Sequence, residues 1–154
     1  MENEKKNPTS VAITAQYIKD ISFENPNAPF SFQGEKQPEF NMNFDLNVQG
    51  VQENLYEVVL GFTIDAKEED KKSLVIEIKY AGLVAAQSDD KKELELILLV
   101  QVPTMLFSYV RRIIANLSMD GGFPPINLQP LDFYSLYMSK VNQEKQVPAN
   151  DKIN

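Results

Sequence analysis

The sequence predicts an α+β domain in which a four-stranded antiparallel sheet is followed by two or three α-helices. Two observations lead to this fold class. Up to about residue 81, apolar and polar residues alternate in four segments, as they do in strands with one buried face. After residue 88 the apolar residues recur every three or four positions, as on one side of a helix. Strands followed by helices are typical of a sheet whose helices pack on one face or on another subunit.

The four strands are predicted from the alternation alone. The connections at 50–54 and 66–72 are short, so we expect the second, third and fourth strands to form an antiparallel meander. The apolar residues assigned to one face of each strand are Val11, Ile13, Ala15 and Tyr17, then Phe40, Met42, Phe44, Leu46 and Val48, then Tyr56, Val58, Leu60, Phe62 and Ile64, and finally Leu74, Ile76, Ile78 and Tyr80.

Residues 25–34, between the first two strands, predict an irregular crossover because the repeated prolines prevent regular pairing. Phe30 and Phe32 lie in it. In an extended chain residues two apart point the same way, so we expect both rings on one side. Loops that carry several aromatic residues often frame an apolar groove that captures nonpolar segments.

The helical half begins after residue 90. Residues 106–117 have the clearest helical spacing and end at Gly121-Gly122. Leu94–Val100 is apolar nearly all round, which fits either a buried helix or a fifth strand. After a proline-rich linker at 124–130, Asp132 is expected to cap a last helix. The apolar side of that helix carries Phe133, Leu136, Tyr137 and Val141.

Length and composition fit one domain. The chain has 154 residues, of which 43% are hydrophobic, and this is enough for a core of its own. We expect the domain to span residues 11–141. Residues 1–10 and 142–154 are polar or charged and have the composition of disordered segments.

Charge and missing residue types exclude several classes of function. The net charge of −7 disfavours nucleic acid and anionic lipid as partners. The chain has neither Cys nor His, which excludes disulfides and every catalytic set that uses a thiol or imidazole. No spacing singles out another catalytic set, a metal or a cofactor, so we do not expect an enzyme. We expect no signal peptide or spanning helix, and a cytoplasmic location.

Four sequence blocks, in order, resemble the SecB family of bacterial protein-export chaperones between residues 11 and 141. The blocks are Lys19-Asp20-Ile21-Ser22-Phe23-Glu24 with Pro26-Asn27-Ala28-Pro29, Tyr56-Glu57-Val58-Val59-Leu60, Leu106-Phe107-Ser108-Tyr109-Val110-Arg111, and Phe123-Pro124-Pro125-Ile126-Asn127-Leu128-Gln129-Pro130 leading to Phe133. The resemblance implies a SecB-like fold assembled as a dimer of dimers. It also implies an ATP-independent holdase, which keeps secretory precursors unfolded and export-competent and delivers them to the SecA translocase ATPase.

The resemblance also implies two binding surfaces. The SecA-binding residues are expected to be Asp20, Glu24, Val75 and Glu77. The groove for unfolded clients is expected to contain Phe30, Phe32, Phe40, Met42, Phe44, Tyr109, Phe133, Leu136 and Tyr137.

The chain departs from the family pattern at three places. Val75 stands where a leucine is usual, Lys36 stands where a Trp is common in the crossover, and residues 93–102 lack the Cys and His that members often carry. The runner-up function is a SecB-like chaperone that serves a toxin–antitoxin pair. Such a protein would not need the acidic SecA contact, and the retention of Asp20, Glu24 and Glu77 argues against it.

Overall fold

The computed structural model describes residues 5–34 and 37–146, which form one sheet covered by helices on one side. The strands are β1 (Ser10–Glu24), β2 (Glu39–Gln52), β3 (Leu55–Glu68) and β4 (Lys71–Gln87). The helices are α1 (Lys91–Leu96), α2 (Val102–Asp120) and α3 (Phe133–Gln146). A short 3-10 helix occupies Phe30–Phe32 in the crossover.

All neighbouring strands are antiparallel, in the order β1-β4-β3-β2. The predicted four-stranded antiparallel sheet and its meander are confirmed. The helices cover one sheet face, here called the helix side, and the opposite face is called the outer face. The core lies between the helices and β3 and β4. Its strand residues are Val58, Leu60, Phe62, Ile64 and Ala66 in β3 and Leu74, Ile76, Ile78, Tyr80 and Val84 in β4.

β1 departs from the predicted alternation. Its pairing with β4 shifts between Ile13 and Ala15 and again between Ile18 and Asp20. Each shift is a β-bulge, in which one extra residue turns the following side chains to the other face. Ile18 therefore faces the helix side, whereas Tyr17 lies on the outer face. The prediction that Val11, Ile13, Ala15 and Tyr17 share one face is wrong beyond Ile13.

The crossover is also different from the prediction. Phe30–Phe32 form a 3-10 turn, closed by the Gln33 N–H donating to the Phe30 carbonyl at 3.1 Å. A 3-10 helix has about three residues per turn, so side chains two apart point in different directions. The expectation of an extended segment with both rings on one side is therefore wrong.

The apolar run Leu94–Val100 is helical, which excludes the alternative of a fifth strand. α1 continues through one π-helical turn, Ile97–Gln101, directly into α2. Pro103 accounts for this turn, because proline has no N–H to donate and its ring clashes with the carbonyl four residues earlier. The Thr104 hydroxyl also donates to the Val100 carbonyl at 2.6 Å.

The run Lys91–Asp120 is, by length and composition alone, long and apolar enough to cross a membrane. In the structure the apolar side of the run packs on the sheet, and Leu106, Val110 and Ile114 are fully buried. Core helices of soluble proteins have the same composition, so the composition of this run is weak evidence for a membrane protein.

The predicted helix signals after residue 118 are confirmed. α2 ends where the Gly121 N–H donates to the Leu117 carbonyl, and Gly122 has a φ of +85°, which suits glycine. α3 is capped by the preceding residue, Asp132, whose carboxylate accepts from the Ser135 N–H at 3.1 Å and the Ser135 hydroxyl at 2.7 Å. These hydrogen bonds hold the pKa of Asp132 below its usual value.

Regular secondary structure extends from Ser10 to Gln146. α3 extends to Gln146, so the prediction of a disordered tail from residue 142 is wrong for 142–146. Residues 5–9 form neither helix nor strand, but the Thr9 hydroxyl donates to Glu93 at 2.7 Å. Residues 1–4 and 147–154 lie outside the described part of the chain.

Candidate functional site

The four residues predicted to bind SecA lie together on the outer face, at the end of the β1–β4 pair. Glu24 stands opposite Val75, Ser22 opposite Glu77, and Asp20 opposite Lys79. The three acidic side chains are exposed and Val75 is half-buried. The bulge after Ile18 brings Asp20 to this face, because alternation continued from Ile18 would place it on the helix side.

A cleft of about 560 Å³ adjoins these residues. Its acidic lining is Glu24 and Glu77, and its basic lining is Lys71 and Lys72. Pro26, Asn27 and Val75 complete the cleft. Sequence reasoning treated the two lysines only as part of a charged connection, so their place beside the acidic residues was missed.

A second polar site on the outer face joins β1 to β3. The Tyr17 hydroxyl donates to Glu57 Oε2 at 2.5 Å, and Lys19 Nζ donates to Glu57 Oε1 at 2.6 Å. The hydrogen bond to Glu57 raises the pKa of Tyr17 to about 12, and the two donors lower the pKa of Glu57. A pocket of about 110 Å³ beside them is lined by Lys19, Asp45, Asn47, Gln49, Glu57, Val59 and Lys79.

The predicted client residues lie on the helix side and divide by exposure. Phe40 is 55% exposed and Met42 is 42% exposed at the start of β2, and Leu136 is 40% exposed on α3. Phe44 is half-buried on the same face of β2. These residues leave apolar side chains of β2 and α3 open to solvent on one side of the sheet.

Phe133 and Tyr137, also predicted to belong to the client groove, are buried within the chain. Phe133 packs edge-to-face on Phe44, with the ring centroids 6.3 Å apart, and on Phe107 at 6.0 Å. The Tyr137 hydroxyl donates to Glu95 at 3.0 Å, which raises the pKa of Tyr137. The two residues attach α3 to the rest of the helix side.

Tyr109 lies apart from the β2 residues. Its ring stacks on Tyr80 with the centroids 6.0 Å apart, and the Tyr80 hydroxyl donates to Gln16 of β1 at 3.2 Å. Tyr109 therefore belongs to the β1 side of α2, and the structure does not bring it together with Phe40 and Met42.

Of the two crossover aromatic residues, Phe32 contacts the residues that follow α2. Phe32 packs on Phe123, with the ring centroids 5.4 Å apart, and lies so close to Gly122 that a Cβ there would be 2.9 Å from the Phe32 ring. Phe30 is 65% exposed. Lys36, where the family often has a Trp, lies outside the described residues.

A further apolar surface on the helix side was missed by sequence reasoning. Val11, Ile18 and Ile21 of β1 are 38–47% exposed, and Met105 and Tyr109 of α2 are 55% and 44% exposed. The first bulge in β1 hid part of this surface, because it places Ile18 on a face that simple alternation from Val11 does not predict.

Comparison with known proteins gives one consistent family. A family model described as preprotein translocase subunit SecB matches residues 3–144. Curated relatives named protein-export protein SecB are similar over most of the chain. The relative from Sphingopyxis alaskensis is 38% identical over 142 residues, which are 92% of this chain and 83% of the relative. The relative from Zymomonas mobilis is 40% identical over 134 residues, which are 87% of this chain and 82% of the relative.

A third relative with the same name, from Rickettsia felis, is 38% identical over 137 residues, or 88% of this chain and 90% of the relative. Among solved structures, a SecB-like chaperone of Mycobacterium tuberculosis in complex with an antitoxin peptide is similar, with a TM-score of 0.64. The match covers 79% of this chain and 90% of that chain, at 16% sequence identity. At this identity the similarity concerns the fold alone.

Proposed function

The chain belongs to the SecB family of protein-export chaperones, and from this membership we propose that it holds secretory precursors unfolded without ATP and passes them to SecA. SecB chaperones are not enzymes, so binding and release are its whole function. In this proposal the protein acts in the cytoplasm, where precursors are held before export. Residues 11–141 form the domain that binds clients and SecA.

Clients bind, in this proposal, to the apolar surface on the helix side. The observation that carries the proposal is the exposure of Phe40, Met42 and Leu136 beside a compact aromatic core. Binding that depends on burial of apolar surface is non-directional, so it fits clients with little sequence in common. Phe44 borders this surface, while Phe30 and Phe32 offer a second apolar contact at the end of α2.

SecA binds, in this proposal, to the outer face at Asp20, Glu24, Val75 and Glu77. Three exposed carboxylates on two paired strands attract a basic partner segment, and Val75 offers a small apolar contact between them. The client surface and the SecA surface then lie on opposite faces of one sheet. A client and SecA can therefore be bound at the same time, as transfer between them requires.

The assembly, in this proposal, is a dimer of dimers. The uncovered apolar residues on β1 and α2 support it, because single chains rarely leave contiguous apolar surface exposed without a partner. Ile18, Ile21 and Met105 are the residues we expect at the contact between copies. Tyr109 lies on the same side of α2, and we now assign it to this contact or its rim rather than to the client groove.

The SecA surface is tested by a triple variant, Asp20→Lys with Glu24→Lys and Glu77→Lys. We expect SecA binding to be lost and wild-type binding to weaken with salt, because exposed charge pairs are screened. Capture of a denatured precursor should persist. The matched control reverses three exposed acidic residues elsewhere, Glu53, Asp120 and Glu144, and should retain SecA binding. Equal loss of SecA binding in both variants would show that the net charge of the chain, and not the position of these three residues, determines SecA binding.

The toxin–antitoxin alternative is not favoured. The relatives that cover most of the chain at 38–40% identity are named protein-export proteins, whereas the neighbour in complex with an antitoxin peptide is 16% identical. An acidic outer face is also of no evident use to a chaperone that does not bind SecA.

A further inference from the structure

The cleft beside the proposed SecA surface contains both signs of charge. Lys71 and Lys72 line it together with Glu24 and Glu77. In the part of the chain that the structure describes, the ion pair present is Lys19–Glu57, and none of these four side chains has a partner of opposite charge within pairing distance. Two cations and two anions are therefore left available to a ligand in one cleft.

A β-bulge places Lys72 in this cleft. The pairing of β3 with β4 shifts after Ala66, so that Lys72 stands opposite Lys67 on the outer face. Ser73, the extra residue, is buried, and its hydroxyl donates to the Ala66 carbonyl at 3.4 Å. Without the shift, Lys72 would alternate onto the helix side with Leu74.

Like charges on opposed cross-strand residues destabilise a sheet unless something compensates for them. Lys67 and Lys72 are such a pair, and Lys71 adds a third cation next to them. Glu39 stands opposite Lys67 on β2 and Glu68 stands opposite Lys71 on β3, so carboxylates of the chain offset part of this charge. Lys72 has no acidic residue opposite it, and an anion bound at this end of the cleft would reduce the remaining repulsion. A uniformly basic ligand would increase it.

We infer that the cleft recognises a mixed-charge peptide segment of SecA, in which a basic side chain contacts Glu24 and Glu77 and a carboxylate contacts Lys71 and Lys72. The inference rests on the proposed SecA surface and names the chemistry of its ligand. Val75 lies between the two ends and accepts an apolar side chain. From Lys72 to Glu77 an extended strand spans roughly 13–17 Å, so the two ligand charges are about four or five residues apart.

The test is a titration of intact SecA into the variant Lys71→Ser with Lys72→Ser. If the ligand is mixed in charge, removing the lysines weakens binding, by roughly 2- to 30-fold for two exposed charge contacts. If the ligand is purely basic, removing them tightens binding, because a repulsion is lost. A mixed-charge ligand and a purely basic ligand therefore predict opposite changes in SecA affinity for this variant.

The matched control is Lys91→Ser with Lys92→Ser, which removes the same charge from an exposed lysine pair at the start of α1. We expect no weakening there, and Lys71→Arg with Lys72→Arg should bind like the wild type. Unchanged or tighter binding by the serine variant overturns the inference while the SecA surface stands. A wild-type chain that does not bind SecA overturns both.

Discussion

The rings of Phe44 and Phe133 meet edge-to-face with their centroids 6.3 Å apart, which joins the edge strand β2 to α3. Phe44 also stacks on Phe62 at 5.7 Å, and Phe133 packs on Phe107 at 6.0 Å. This aromatic cluster is the boundary between the core and the proposed client surface. Residues on its two sides should respond differently to substitution.

Phe133→Ala should reduce the free energy of unfolding by about 3–5 kcal/mol, because it removes a buried ring and leaves a cavity. Phe40→Ala should change it by less than about 0.5 kcal/mol, because the Phe40 side chain is 55% exposed. Urea unfolding at one fixed protomer concentration measures both. A large loss for Phe40→Ala would place this residue in the core instead.

The pattern of residues predicted β2, β3 and β4 correctly because their register shifts lie near the strand ends, so the alternation over 40–48, 56–64 and 74–80 is unbroken. It failed for β1, because Val11, Ile13, Ala15 and Tyr17 look like one apolar face although a bulge splits them. A bulge is a property of the pairing with β4 and leaves no mark in the composition of one strand.

The candidate site was also predicted only in part, because sequence patterns do not show which apolar side chains are buried in the core. The resemblance placed Asp20, Glu24, Val75 and Glu77, which the structure brings onto one face. An amphipathic pattern gives the apolar side of a helix but does not say whether that side meets the chain's own core or a ligand. Phe133 and Tyr137 were therefore assigned to a groove, although both are buried in the core.

Tyr17 should ionise only near pH 12, because its hydroxyl donates to the Glu57 carboxylate. Its pKa is raised in the folded state, so its contribution to stability is complete below about pH 10 and is lost as the pH rises toward 12. Tyrosine ring NMR signals measured against pH should give a midpoint near 12 for the signal that Tyr17→Phe removes. Glu57→Gln should lower that midpoint. A midpoint near 10 in the wild type would mean that the hydrogen bond does not form in solution.

Gly122→Ala should destabilise the chain by about 1–2 kcal/mol, because an L-residue is strained at a φ of +85°. The new Cβ also meets the Phe32 ring, so NMR signals of the crossover should shift. Gly50→Ala is the control, because no atom lies within 4 Å of a Cβ at that position. Thermal unfolding measures both. Equal effects at the two glycines would contradict the close contact between the crossover and α2.

The wild-type chain should sediment at about 70 kDa, four times the chain mass of 17.5 kDa. Ile18→Asp with Ile21→Asp should give smaller species, because charges would be buried at the proposed contact between copies. Asn43→Asp, on exposed β2, should leave the mass unchanged. A wild-type monomer at micromolar concentration would contradict the proposed assembly.

The most direct test of the chaperone function is the refolding rate of a denatured secretory precursor, measured with and without the chain and in the absence of ATP. We expect stoichiometric wild-type chain to slow refolding. Phe40→Ala with Met42→Ala should weaken capture about 30-fold, since about 2 kcal/mol of contact is lost from two half-exposed apolar side chains. Val51→Ala, which removes apolar surface that is 52% exposed at the other end of β2, should capture normally. Refolding that the wild type does not slow, or that all three chains slow equally, would contradict the account.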